Sequence, residues 1–176
     1  MTAGESALGR EIFGDEISCS QARVYRRRYW VFQRRGVAMA PDGNIYFHPA
    51  DHVDDFSALG INGKAWFVHE LTHVWQYQRG VKVVLCGMFN RNYRYVPLAP
   101  GKPFSAYGIE QQATIVADYF RTRHGYPPRQ GSHALADYEI VLTGGLLRGS
   151  AFQRPATGAW HAACRPNPIA ERDGST

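Results

Sequence analysis

Apolar residues recur at helical spacing in three stretches of the chain. Leu8, Ile12 and Phe13 predict a short opening helix ended by Gly14. A longer helix is predicted from about Lys64 to Arg79, with Asn62 as its N-cap and Gly80 just past its end. Ile109, Ala113, Val116 and Phe120 mark another that closes before Gly125. A further helix is predicted from about Ser132 to Leu147, weakened by Gly144 and Gly145.

Between the first two helices the pattern changes. Arginine and apolar residues alternate around Val24, as on a strand with one wet face. In "GVAMAPDGNIYFHP" two apolar runs flank Pro41, Asp42 and Gly43, which have the chemistry of a hairpin turn. The run "VKVVLCGMF" is too short to show a period, and "NRNYRYVPLAPGKPFSAYG" reads as a long, tyrosine-rich connection.

The expected fold class is therefore α+β: a small N-terminal antiparallel sheet, then a central helix packed against further helices. All 176 residues fit a single domain, with residues 1–60 forming the helix and sheet, 61–147 a helical part, and 148–176 an irregular tail. A hydrophobic fraction of 44% against 20% charged residues excludes a disordered chain. Three scattered cysteines argue against a disulfide framework and for a reducing compartment. The N-terminus carries no basic run followed by an apolar core, and no stretch is long enough to span a membrane, so a cytoplasmic product is expected, with signal-independent export open to it. Net charge is +5, densest in "RVYRRRYWVFQRR"; without a nucleic-acid fold signature this reads as a strand face and loop, and nucleic-acid binding is disfavoured.

The central helix contains "HELTH". His69 and His73, four residues apart, share a helix face and can aim at one point, as two ligands of a tetrahedral zinc must. Glu70 lies about 100° round the helix, where a carboxylate serves as general base toward water instead of as ligand. Trp66, Phe67, Val68, Leu71, Val74, Trp75 and Tyr77 leave this helix no fully polar face, so the three polar groups would be costly there unless paired or metal-bound. Ordinary core histidines with Glu70 in an ion pair are the bland alternative.

A third ligand is needed. Glu110, in the first turn of the helix from Ile109, leads, with His124 and His133 as rivals. Asp118 stands about 12 Å along the axis from Glu110 and is either an orienting residue or a solvated one. Thr72 and Gln76 read as ordinary helix polar groups, or Gln76, one turn after His73, supports a ligand or the water. Tyr107, His133 and Tyr138 are candidates to stabilise an oxyanion, or else packing residues.

Taken together, "HELTHVWQ", the "AMAPDGNIYF" hairpin and "GKPFSAYGIEQQATIVADYF" resemble the bacterial Vgr-related protein family, itself similar to the DUF4157 group of minimal gluzincin metallopeptidases. The likeness runs from about Phe13 to Phe120. It implies a zincin-like fold and one Zn2+ ion held by His69, His73 and Glu110. It also implies Glu70 as base for peptide-bond hydrolysis, a peptide or protein substrate laid along the Ala38 to Phe47 hairpin edge, and a link to type VI secretion as effector or accessory. One departure stands out: Thr114 occupies the position, four residues after the third ligand, where gluzincins often carry an aspartate. A different class of function is an adaptor that keeps a closed, structural zinc site and binds a secretion component.

Overall fold

The computed structural model describes residues 1–84, 86, 92–143 and 146. The tail expected over 148–176, the glycine pair at 144 and 145, and most of the run 85–91 lie outside the described residues.

Helix α1 (Ala3–Phe13) begins where the Thr2 hydroxyl accepts the Glu5 N–H at 3.0 Å and Glu5 accepts the Thr2 N–H at 2.8 Å. This reciprocal pair satisfies two amides that no helical carbonyl can reach. The other oxygen of the buried Glu5 accepts the Phe56 N–H at 3.1 Å, tying α1 to the turn that leads into the central helix. Leu8, Ile12 and Phe13 face the core, and Gly14 ends the helix at φ +56°.

The sheet has three short strands, β1 (Val24–Tyr25), β2 (Ala38–Met39) and β3 (Ile45–Phe47), in the order β1-β3-β2. The predicted hairpin is present: β2 and β3 run antiparallel, pairing Ala38 with Phe47 and Met39 with Tyr46. In its turn Asp42 accepts the Asn44 N–H at 3.1 Å and the Tyr46 hydroxyl at 2.8 Å. The wholly antiparallel sheet is corrected at β1, which pairs parallel to β3 through Val24–Ile45 and Tyr25–Tyr46. Residues 26–37 carry the chain away before β2, so β1 and β3 run in the same direction; alternation of polar and apolar residues reports a strand's faces but not its direction.

Helix α2 (Ile61–Gln78) is the centre of the molecule. It starts at Gly60, not at Asn62, whose side chain instead accepts Arg121 Nη1 at 2.5 Å from α3 (Ile109–Arg123). Gly80, at φ +82°, follows its end as predicted. The helix is buried on nearly all sides. Phe47 stacks on Phe56 at 4.1 Å and Phe56 on Phe67 at 5.2 Å, while Trp66 meets Phe47 edge-on at 4.9 Å. Val68, Leu71 and Trp75 continue this core toward Ile115, Val116 and Phe120 of α3.

The C-terminal end of α2 meets the start of α3, through Gln76 and Ile109, and its start meets the end of α3, through Asn62 and Arg121. The two helices are therefore antiparallel. Helix α4 (Leu135–Thr143) covers the far side with Tyr138 and Leu142. It starts three residues later than its apolar pattern suggested, at Leu135, where Asp137 in the first turn accepts the Ala134 N–H at 2.9 Å and caps the helix start. Cys19 is a free thiol and Cys86 is disulfide-bonded, so the reducing environment expected from the scattered cysteines does not hold for Cys86. Among the described residues no helix is long and apolar enough to cross a membrane.

Candidate metal centre

His69 and His73 project from one face of α2 toward the first turn of α3, where Glu110 meets them. Glu110 Oε2 lies 3.3 Å from His69 Nε2 and 3.3 Å from His73 Nε2. The three donor atoms all lie within 4.8 Å of one another, and among the described residues they form the one such cluster of histidine, cysteine and carboxylate groups. Ligands about 2.0–2.1 Å from a tetrahedral zinc stand about 3.3 Å apart, so both Glu110 edges have the length such an ion requires. Two imidazoles and a carboxylate are also a donor set that suits zinc.

The orientation of His73 is fixed from behind. Its Nδ1 is 2.8 Å from Gln76 Oε1, and Gln76 Nε2 donates to the Ile109 carbonyl at 3.1 Å and to Gln112 Oε1 at 2.9 Å. Gln112 Nε2 in turn donates to the Tyr107 carbonyl at 2.8 Å. Carbonyls only accept, so each amide can face one way, and Gln76 must present its oxygen to His73. His73 therefore carries a proton on Nδ1 and turns Nε2 toward Glu110. Gln76 thus orients a candidate ligand.

Charge around the cluster follows from burial. Desolvation pulls His73 down, but the Glu110 carboxylate, with help from Glu70 and Gln76, outweighs it and raises its pKa to about 9. Burial pushes Glu110 up, and the two histidines more than reverse this, holding its carboxyl well below the usual carboxylate range. In the metal-free protein the cluster is a His73–Glu110 ion pair around one proton, and a divalent cation would take that proton's place.

Glu70 differs from both. Burial raises its pKa, against the pull of His69 and His73, and its Oε2 is buried with no hydrogen-bond partner. An orphaned carboxylate oxygen is expensive, and it fits the metal hypothesis, which supplies a water for it to bind. Glu70 and His69 line a groove of about 660 Å³. Val37, just before the hairpin, and Ala38 of β2 form one bank of this groove, and Thr114 and Asp118 of α3 another.

The other residues singled out in the sequence fall elsewhere. Tyr107 is buried and its hydroxyl accepts the Ala99 N–H at 3.1 Å. His133 accepts the Leu98 N–H at 3.2 Å, and His124 pairs with Glu11 at 2.8 Å, so neither joins the cluster. Tyr138 hydrogen-bonds the Tyr95 hydroxyl at 2.7 Å. Asp118 is buried, so it is not solvated, and its bonds run to the Tyr95 hydroxyl and the N–H groups of Arg129 and Gln130 and to none of the three cluster residues. Thr114 bonds back to the Glu110 carbonyl at 2.8 Å and leaves the histidines unbuttressed from that side. The phenol beside the cluster is Tyr93, whose ring stacks against His69 at 6.1 Å and lines the groove. Its only sequence signal was the tyrosine-rich connection, in which nothing separates Tyr93 from Tyr95 or Tyr107.

No protein-family model matches the chain. A curated relative, the type VI secretion system spike protein VgrG2b of Pseudomonas aeruginosa, is 37% identical over 134 residues covering 72% of this chain. The chain spans 13% of that protein's length. Among solved structures, the effector domain of Pseudomonas aeruginosa VgrG2b superposes with a TM-score of 0.69 at 34% identity, covering 82% of this chain and 81% of that domain.

Proposed function

The chain belongs to the family of the VgrG2b effector domain, and from that premise we propose that it is a type VI secretion effector domain that hydrolyses peptide bonds with zinc. The observation that carries the chemistry is one constellation: His69, His73 and Glu110 converge on one point while Glu70 holds an unpartnered oxygen on the same groove. Its partners in this reading are a peptide or protein substrate and a component of the secretion machinery.

The chain's own residues divide the work. His69, His73 and Glu110 would hold the ion, and Gln76 keeps His73 turned toward it. The chemistry that zinc supplies when bound is Lewis acidity, which acidifies water and polarises a carbonyl. Glu70, kept hungry for a proton by burial, takes one from water and passes it to the leaving amine. Among the described residues β2 is an edge strand, and beside the groove it gives an extended peptide backbone a strand to pair with.

The adaptor reading calls for a closed site with four protein ligands. The cluster of three, opening on a groove through His69 and Glu70, favours a hydrolase. The test is the zinc content of the purified protein beside that of Glu70→Gln and His69→Ala. We expect stoichiometric zinc in the parent and in Glu70→Gln, loss of zinc in His69→Ala, and peptide hydrolysis in the parent alone. A parent that takes up no zinc under replete conditions, or turnover by Glu70→Gln, would overturn the proposal.

A further inference from the structure

The arginine-rich stretch that the sequence left as a strand face and loop is neither in the core nor part of the metal centre. After Tyr25 the chain leaves the sheet and returns at Ala38, and at the tip of this excursion three consecutive apolar side chains stand in solvent: Trp30 at 58%, Val31 at 68% and Phe32 at 76% exposure. Trp30 and Phe32 pack on each other, ring centres 5.9 Å apart, so the tip is one apolar cluster.

The loop is held in this shape from beneath. Gln33 is buried; its oxygen accepts the Tyr29 N–H at 2.8 Å, and its amide donates to the carbonyls of Val37 at 2.8 Å and Tyr46 at 2.9 Å. Tyr29 packs on Tyr46 at 5.1 Å, and Asp51 accepts the Gly36 N–H. The exposure of the tip is therefore built into the fold.

Six arginines and no acidic residue lie between positions 23 and 35. Among the described residues only Arg35 has a carboxylate partner, Asp51 at 3.6 Å. Arg27 lies over the Tyr25 ring at 4.7 Å, and Arg28 reaches His48 at 2.8 Å. Among the described residues Arg23, Arg26 and Arg34 have no carboxylate partner. A preformed apolar tip with unneutralised guanidinium groups around its base matches the boundary of a bilayer with anionic headgroups, where aromatic rings enter and cations meet phosphate.

We propose that loop 26–37 is a membrane-surface anchor for bilayers carrying anionic phospholipids, with Trp30, Val31 and Phe32 entering the headgroup boundary and the arginines binding its phosphates. Nucleic acid has the phosphates but gives no return on burying Val31 and Phe32. Three side chains are also too few for a stable protein interface, which takes about 800 Å² from each partner, whereas insertion at a lipid boundary needs only a small tip and nearby charge. Gly36 and Val37, at the base of the loop, line the groove, so docking would set the groove mouth beside the headgroups.

The test is co-sedimentation of the full chain with vesicles of phosphatidylcholine and of phosphatidylcholine mixed with phosphatidylglycerol. Binding is expected on the mixed vesicles and to weaken with salt. The double variant Trp30→Ser, Phe32→Ser should lower partitioning more than about tenfold, and Arg26→Gln or Arg34→Gln by about fivefold each. All are expected to keep the parent's circular dichroism and zinc content. The proposal is overturned if the parent ignores anionic vesicles at low salt, or if the tip variants bind as the parent does. It is equally overturned if a DNA duplex is bound more tightly than the vesicles, with loss in the arginine variants only.

Discussion

Gln76 Oε1 lies 2.8 Å from His73 Nδ1, and the same amide bonds two groups at the start of α3. One side chain thus joins the orientation of a candidate ligand to the seam between the two central helices. Gln76→Leu removes both functions: zinc affinity, measured by chelator competition, should fall about 10- to 100-fold, and stability by about 2 kcal/mol from the acceptors left buried. An unchanged affinity would mean that His73 is oriented by something else.

The metal-free cluster makes stability depend on pH in a definite sense. The pKa of His73 is raised from 6.5 to about 9, so its contribution is complete below the unfolded value and disappears as pH climbs through about 9. Glu110 is shifted down, so its contribution is present above its unfolded value of 4.5 and is lost as pH falls toward the depressed one. Because both report one ion pair, the melting temperature of chelator-treated protein should be highest between pH 4.5 and 6.5 and fall toward 9. Zinc-loaded protein should gain affinity for the metal over that same alkaline range, since the ion displaces the proton. Parallel melts with and without zinc check both slopes.

Asp118 accepts three donors from two other segments, the Tyr95 hydroxyl at 2.7 Å and the N–H groups of Arg129 at 2.7 Å and Gln130 at 3.2 Å. Asp118→Ala strands the two N–H groups and leaves the Tyr95 hydroxyl to Tyr138 and the Gln130 carbonyl, and should cost about 2 kcal/mol in denaturant unfolding. Zinc stoichiometry should be unchanged, which separates this residue from the ligands. Loss of metal in that variant would place Asp118 closer to the chemistry than its hydrogen bonds do.

Gly43 sits at φ +81° in the hairpin turn, and a β-carbon there would meet Tyr77 Cδ1 at 2.6 Å. Gly43→Ala combines a disfavoured backbone with a clash against α2, and a loss of about 1–2 kcal/mol is expected. A neutral result in chemical denaturation would mean that the Tyr77 ring swings aside without cost.

The parts of the fold legible in the sequence are those encoded locally. Pro41-Asp42-Gly43 carries its turn chemistry in three letters, and the spacing of His69 and His73 needs only the helix period to put both on one face. Glu110 could be reached because a helix start followed a long connection, so an antiparallel return was the natural geometry. What could not be read depends on tertiary placement. The direction of β1 is decided by the path of residues 26–37, Asn62 trades its capping role for Arg121, and the choice of Tyr93 over Tyr107 beside the cluster rests on how one proline-rich connection folds over α2.

The hold of Gln33 on its loop reaches beyond lipid. Its three hydrogen bonds fix the two feet of the excursion and none of them involves a side chain at the tip. Shape and content are thereby uncoupled: the identities at positions 30–32 can drift without unsettling β3 or the helix behind it. Such a segment is an interchangeable cassette, open to rapid divergence between relatives and to grafting of a reporter peptide, while the cluster of His69, His73 and Glu110 keeps its frame.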